Sequence, residues 1–202
     1  MATTHARLNG FVKFISGTPS KRGEAVRQAA ESDYQFFRDF YLRFRQAIDA
    51  DRRTTRDGAA LEAAVTNADK RHAGRFALLA GRWATVIPRW DAAARTTVSA
   101  VDVVVGGLTL TVSASLAEVL PDGRVEIVFV KYNSDAISDD EMGAVLRVMQ
   151  LAFAAEHPSG VLTFINLSTG RVLTAGMGDD LSRFDPAIEA EAAAMAEALR
   201  AA

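Results

Sequence analysis

Two periodicities divide the chain. Up to Arg95 the apolar residues recur at helical spacing, and from Val98 onward they gather in β-branched runs. Thr18 followed by Pro19 predicts a helix over 18–31, with threonine as N-cap and proline in the first turn. Ser32-Asp33-Tyr34-Gln35 has the spacing of a capping box and predicts a second helix, in which Phe37, Phe40, Tyr41, Phe44 and Ile48 form one apolar stripe expected to be core. Across that helix run Arg38, Arg45, Arg52 and Arg56, a basic stripe that is usually only a solvated face but is also a candidate anion-binding surface. Asp57-Gly58 breaks the pattern before a short Ala-Leu helix. A longer helix from about Asp69 carries Phe76, Leu79, Trp83 and Ile87 until Pro88 ends it.

Strands are predicted over 98–105, 108–116 and 125–132, separated by Gly106-Gly107 and by Pro121-Asp122-Gly123, which reads as a three-stranded meander. In the second of them Thr109, Thr111, Ser113 and Ser115 alternate with Leu108, Leu110, Val112, Ala114 and Leu116, giving one hydroxyl face and one apolar face. Glu118, Asp122 and Glu126 around the following turn read as the charged residues of an exposed hairpin. Ser138-Asp139-Asp140-Glu141 is another capping box, and Met142, Val145, Leu146, Met149 and Phe153 follow it at helical spacing. Strands over 161–167 and 171–175 and a helix over 185–199 complete the order αβββαββα behind the N-terminal helices. This is an α+β fold, expected as a single domain over 1–202 with a helical subregion (18–96) and an α/β subregion (97–202).

Composition adds exclusions. With 202 residues and 49% hydrophobic content the chain can bury a core of ordinary size. No run of about 18 apolar residues and no signal-peptide pattern appears, so a cytoplasmic protein without membrane contact is expected. The absence of cysteine removes disulfides, zinc-thiolate sites and thiol catalysis, and His5, His72 and His157 are too scattered to suggest a metal site. No cofactor motif is present either. The net charge of −2 hides an asymmetry: residues 1–96 carry 17 Lys+Arg against 10 Asp+Glu, a surplus of +7, whereas residues 97–202 carry 6 against 15, or −9. Either a basic surface awaits an anionic partner, or the two halves attract one another, which is the more economical expectation.

The order helix, meander, helix, strand resembles the core of the PD-(D/E)XK nuclease superfamily, in particular its RecB-like branch. That resemblance implies an acid on the second strand, an acid and a lysine two apart on the third, and a glutamine on the next helix. Aligned without gaps on Asp122-Gly123, those positions hold Ser115, Phe129, Lys131 and Gln150. Both metal-binding carboxylates are missing, and a lysine and a glutamine cannot hold a hard divalent cation. Thr18-Pro19-Ser20-Lys21-Arg22, Asp39-Phe40-Tyr41-Leu42-Arg43, Phe129-Val130-Lys131-Tyr132 and Glu189-Ala190-Glu191-Ala192-Ala193 also resemble segments of an uncharacterised bacterial protein family, a resemblance that implies membership and no activity. The same element order resembles type III secretion chaperones, which would imply a dimer that binds protein segments.

The chain is therefore expected to be a non-catalytic binding protein with a degenerate, restriction-endonuclease-like core. Its partner would be nucleic acid or a protein. A chaperone-like module that forms a homodimer, and an enzyme with an unrecognised site, stand as alternatives. An odd-length loop between the second and third strands would place Ser115, Lys131 and Gln150 in one polar pocket; a two-residue turn at Asp122-Gly123 would separate Ser115 from Lys131. A lysine that merely reaches solvent from a strand end is the plainer use of Lys131.

Overall fold

A computed structural model of the chain describes residues 4–31, 40–54 and 56–202 and has an α+β architecture. In chain order its elements are β1 (His5–Arg7), α1 (Leu8–Ile15), α2 (Pro19–Ala30), α3 (Leu42–Arg53), α4 (Ala59–Thr66), α5 (Ala73–Val86), β2 (Ala94–Thr96), β3 (Val101–Val105), β4 (Leu108–Val112), β5 (Leu116–Val119), β6 (Val125–Lys131), α6 (Asp139–Phe153), β7 (Val161–Asn166), β8 (Arg171–Gly176) and α7 (Asp185–Ala201). Short 3-10 turns cover Ile87–Trp90 and Ser182–Phe184. Among the described residues no helix is long and apolar enough to cross a membrane.

The strands with the longest apolar runs are those covered on both sides. A five-stranded sheet has the order β2-β5-β6-β7-β8, with β6 and β7 parallel across the α6 crossover and the other neighbours antiparallel. Ile127, Phe129, Leu162 and Phe164 enter a core shared with α1, α2, α6 and α7. From the opposite face Val128, Val130 and Ile165 enter a second core with Phe44, Ile48, Phe76, Leu79 and Trp83 of α3 and α5. No face of β6 or β7 is left for water, so neither strand alternates. β4 does alternate, because it lies in a separate three-stranded sheet, β1-β4-β3, with Leu108, Leu110 and Val112 inward and Thr109 and Thr111 outward.

Local chemistry fixes several element ends. Ser138 and Glu141 form both halves of the capping box of α6. Val105 pairs with Leu108 across Gly106-Gly107, whose φ angles of 54° and 75° give the two-residue turn that matches strand twist. Gly106 also lies under α7: a Cβ there would fall 2.4 Å from the Glu189 carbonyl oxygen.

Elsewhere the structure corrects the periodicity. The strand expected over 108–116 is two strands in two sheets. Ser115 donates its backbone N–H to Val128 O, and Leu116 is also paired with Val128, so two residues oppose one and the chain bends from one sheet into the other. The meander therefore does not form one continuous sheet. β1 and α1 were not anticipated, although Leu8, Phe11, Val12 and Ile15 are buried at helical spacing. The Ser32 capping box, Phe37 and Arg38 lie outside the described residues. Phe44 and Ile48 are core, but Phe40 and Tyr41 precede α3 in a turn, where half-buried Phe40 stacks on His72 at 4.2 Å. The +7 and −9 halves hold each other: Lys21 pairs with Asp135, Arg22 with Glu191, Arg52 with Glu118 and Arg89 with Glu126.

Candidate functional site

The pocket expected from Ser115, Lys131 and Gln150 does not assemble. Val119 pairs with Val125, so the loop over 120–124 is the odd-length one. The bend, however, turns Ser115 into a structural group: its Oγ accepts the Val130 N–H at 3.0 Å in place of a ladder carbonyl. Lys131 sits at the end of β6, beside Asn166 of β7. Gln150 donates to the carbonyls of Met177 and Asp179, just past Gly176, which pairs with Val161 at the other end of β7. Five residues of strand, roughly 16 Å, separate those ends.

Lys131 is nevertheless unusual. Only 4% of the residue is exposed, and its ammonium donates to the carbonyls of Asn133 at 3.2 Å and Asp135 at 2.5 Å. Burial pushes its pKa down to about 8; Asp135 opposes that fall, while Arg75 and Lys21 add to it. The ammonium is therefore held inward and does not reach solvent.

The more substantial polar chemistry lies on the sheet face covered by α3 and α5. Glu118 of β5 and Glu126 of β6 are directly paired across the strands and are 0% and 2% exposed, which corrects their reading as surface hairpin residues. Each carboxylate has cationic partners. Glu126 accepts from Arg89 Nη2 at 2.6 Å, Trp90 Nε1 at 2.7 Å and Thr163 Oγ1 at 2.5 Å. Glu118 accepts from Arg52 Nε at 2.9 Å, with Arg56 Nη2 at 3.9 Å.

Arg52 is thus no member of a solvated stripe. Its side chain is fully buried, with the guanidinium 5.5 Å from the Trp90 ring centroid. α3 ends at Arg53, so Arg56 does not extend the helix; it takes a left-handed conformation (φ 57°) that an L-residue adopts at a cost of about 1–2 kcal/mol. That turn is fixed by Asp51, whose Oδ1 accepts the Gly58 N–H at 2.8 Å, and by Arg56 Nη1 donating to Ala93 O at 2.5 Å. Arg45 stays on α3, half-buried and outside the arginine cluster.

Arg52 and Arg56 help to line a recess of about 610 Å³, completed by Arg53, Thr54, Arg95, Thr96 and Thr97, and among the described residues no acidic side chain lies in its wall. Arg95, which no pattern along the chain marks out, arrives from β2 and is tied to Asp49 of α3. A second recess of about 450 Å³ lies near Arg89, Arg124, Glu126 and Asp179, but its buried carboxylate, Glu126, has its partners already.

No protein-family model matches the chain, and no curated protein does. Among solved structures it is similar to the crystal structure of SSO0001, at 12% identity and a TM-score of 0.39, over 95% of this chain and 76% of that one. A likeness of that size identifies neither a fold family nor an activity.

Proposed function

We propose that the protein is a non-catalytic binding protein whose partner is nucleic acid, carried on a degenerate nuclease-like core. The observation behind it is the recess lined by four arginines and, among the described residues, no acid. Planar guanidinium groups suit phosphate oxygens, and phosphate contacts supply most of the affinity of such proteins. For the nuclease-like origin, support comes from the order of elements and from the parallel β6–α6–β7 crossover. The two positions expected to carry metal-binding acids serve structure instead, Ser115 as an acceptor for Val130 and Phe129 as core.

The test is a titration of labelled duplex and single-stranded DNA at two salt concentrations. If all four arginines meet phosphates, log K should fall with log salt at a slope of roughly −3 to −4. Arg53→Gln should flatten the slope by about 1. Absence of binding at low salt, or binding that ignores both salt and Arg53, overturns the nucleic-acid assignment.

A second reading, a protein-interaction module that pairs with a copy of itself, is favoured by β8. Among the described residues this strand has β7 as its one neighbour in the sheet, and Val172 on it is 39% exposed. A dimer in solution that Val172→Lys dissociates would support it, and a concentration-independent monomer would exclude it.

A further inference from the structure

The geometry points to a discrete subsite for one phosphate group in the arginine recess, with Arg52 as its fork. This deepens the binding function proposed above and rests on it only for nucleic acid as the source of the phosphate.

Arg52 has one of its three nitrogens engaged. Nε donates to Glu118, which leaves the Nη1–Nη2 edge, the edge that grips an oxyanion with two parallel hydrogen bonds. Both Nη atoms are buried and have no hydrogen-bond partner, and Arg95 Nη1 is in the same condition. The unpaired acceptors in this neighbourhood are Asp51 Oδ2 and Glu118 Oε2. Among the described residues, three such guanidinium nitrogens with two N–H each stand against two such oxygens, so unpaired donors outnumber unpaired acceptors here. Charge gives the same answer. Arg52 and Arg56 share Glu118, and Arg53 and Arg95 share Asp49, so among the described residues these four cations are paired with two carboxylates and positive charge is in excess.

A buried donor without an acceptor is costly, more so on a charged group. A phosphate oxyanion would remove that cost and the excess charge in one step. Arg52 forms the floor of the subsite. Arg53 and Arg56, whose side chains are 62% and 28% exposed, form a rim that reaches solvent and admits a ligand. With about 610 Å³ the recess is larger than a single phosphate, so the remainder of an ester can occupy it as well. The phosphate can belong to a nucleic-acid strand or to a free phosphate ester.

Inorganic phosphate is the probe that separates these sources. Titrated into the whole protein, it should raise Tm saturably, whereas chloride at matched ionic strength should not. Phosphorus NMR should give the same affinity. Arg56→Gln and Arg95→Gln should each weaken phosphate binding about tenfold, as expected for loss of one charge-assisted contact. Arg52→Lys, which keeps the charge beside Glu118 and removes the fork, should abolish it; the two glutamine variants decide the matter should that protein not fold. Phosphate binding without DNA binding supports the subsite and assigns it to a free phosphate ester, at the expense of nucleic acid. DNA binding without a phosphate-specific shift overturns the subsite alone. A shift that Arg56→Gln and Arg95→Gln leave unchanged also overturns it.

Discussion

Lys131 offers a test in which the sign is set by burial. Folding takes its ammonium out of water, with the Asn133 and Asp135 carbonyls as partners, and lowers its pKa from 10.5 to about 8. Below about pH 8 folded and unfolded chains both keep the proton, so this group makes no contribution to the pH dependence there. Between about 8 and 10.5 the unfolded chain holds the proton more strongly than the folded one, and stability rises with pH across that window. Above 10.5 neither state holds it. At about 1.4 kcal/mol per pH unit the full rise is roughly 3 kcal/mol. The perturbation is Lys131→Met, which keeps an unbranched chain and removes the titration. Stability is measured by urea unfolding followed through the buried Trp83 and Trp90, for both proteins from about pH 7 to pH 10.5. Subtracting the variant cancels groups common to both. The wild-type protein should gain on the variant by roughly 3 kcal/mol over the range. A difference that is flat, or that falls with pH, refutes a buried, charge-disfavouring site for Lys131.

Three further outcomes follow from packing and from the missing acids. Phe44 is 0% exposed, with its ring 5.3 Å from that of Phe76, so Phe44→Ala should lose about 3–5 kcal/mol in urea unfolding; a loss below about 1 kcal/mol would remove it from the core. Gly106→Ala should be destabilising by at least about 2 kcal/mol, because a methyl there meets the α7 backbone. Gly107→Ala, at a similar φ but in open space, should lose less, and equal losses would refute the close approach to α7. Incubated with Mg²⁺ or Mn²⁺, the protein should leave DNA and RNA uncut; cleavage that Lys131→Ala abolishes would restore a nuclease centre.

Features decided within a few residues were legible in the sequence: the capping box that starts α6, the paired glycines between β3 and β4, the stripe of Phe76, Leu79 and Trp83, and the Leu-Thr alternation of β4. Each follows from backbone conformation or from a side-chain period that a short window contains. The candidate site was not local in this sense. Glu118 and Glu126 look like turn charges until the helical layer supplies Arg52, Arg89 and Trp90, and without those partners burial would be prohibitive. Arg52 and Arg56 read as successive members of one stripe, but α3 ends at Arg53 and Arg56 itself takes a left-handed conformation that redirects it. Arg95 joins them only because β2 pairs with β5 at the edge of the sheet. Ser115, Lys131 and Gln150 fail for a complementary reason. Parity along a strand states which face a residue occupies, but the bend at Ser115 and the length of the α6 crossover set where on the sheet each one lies, and only the folded chain fixes both.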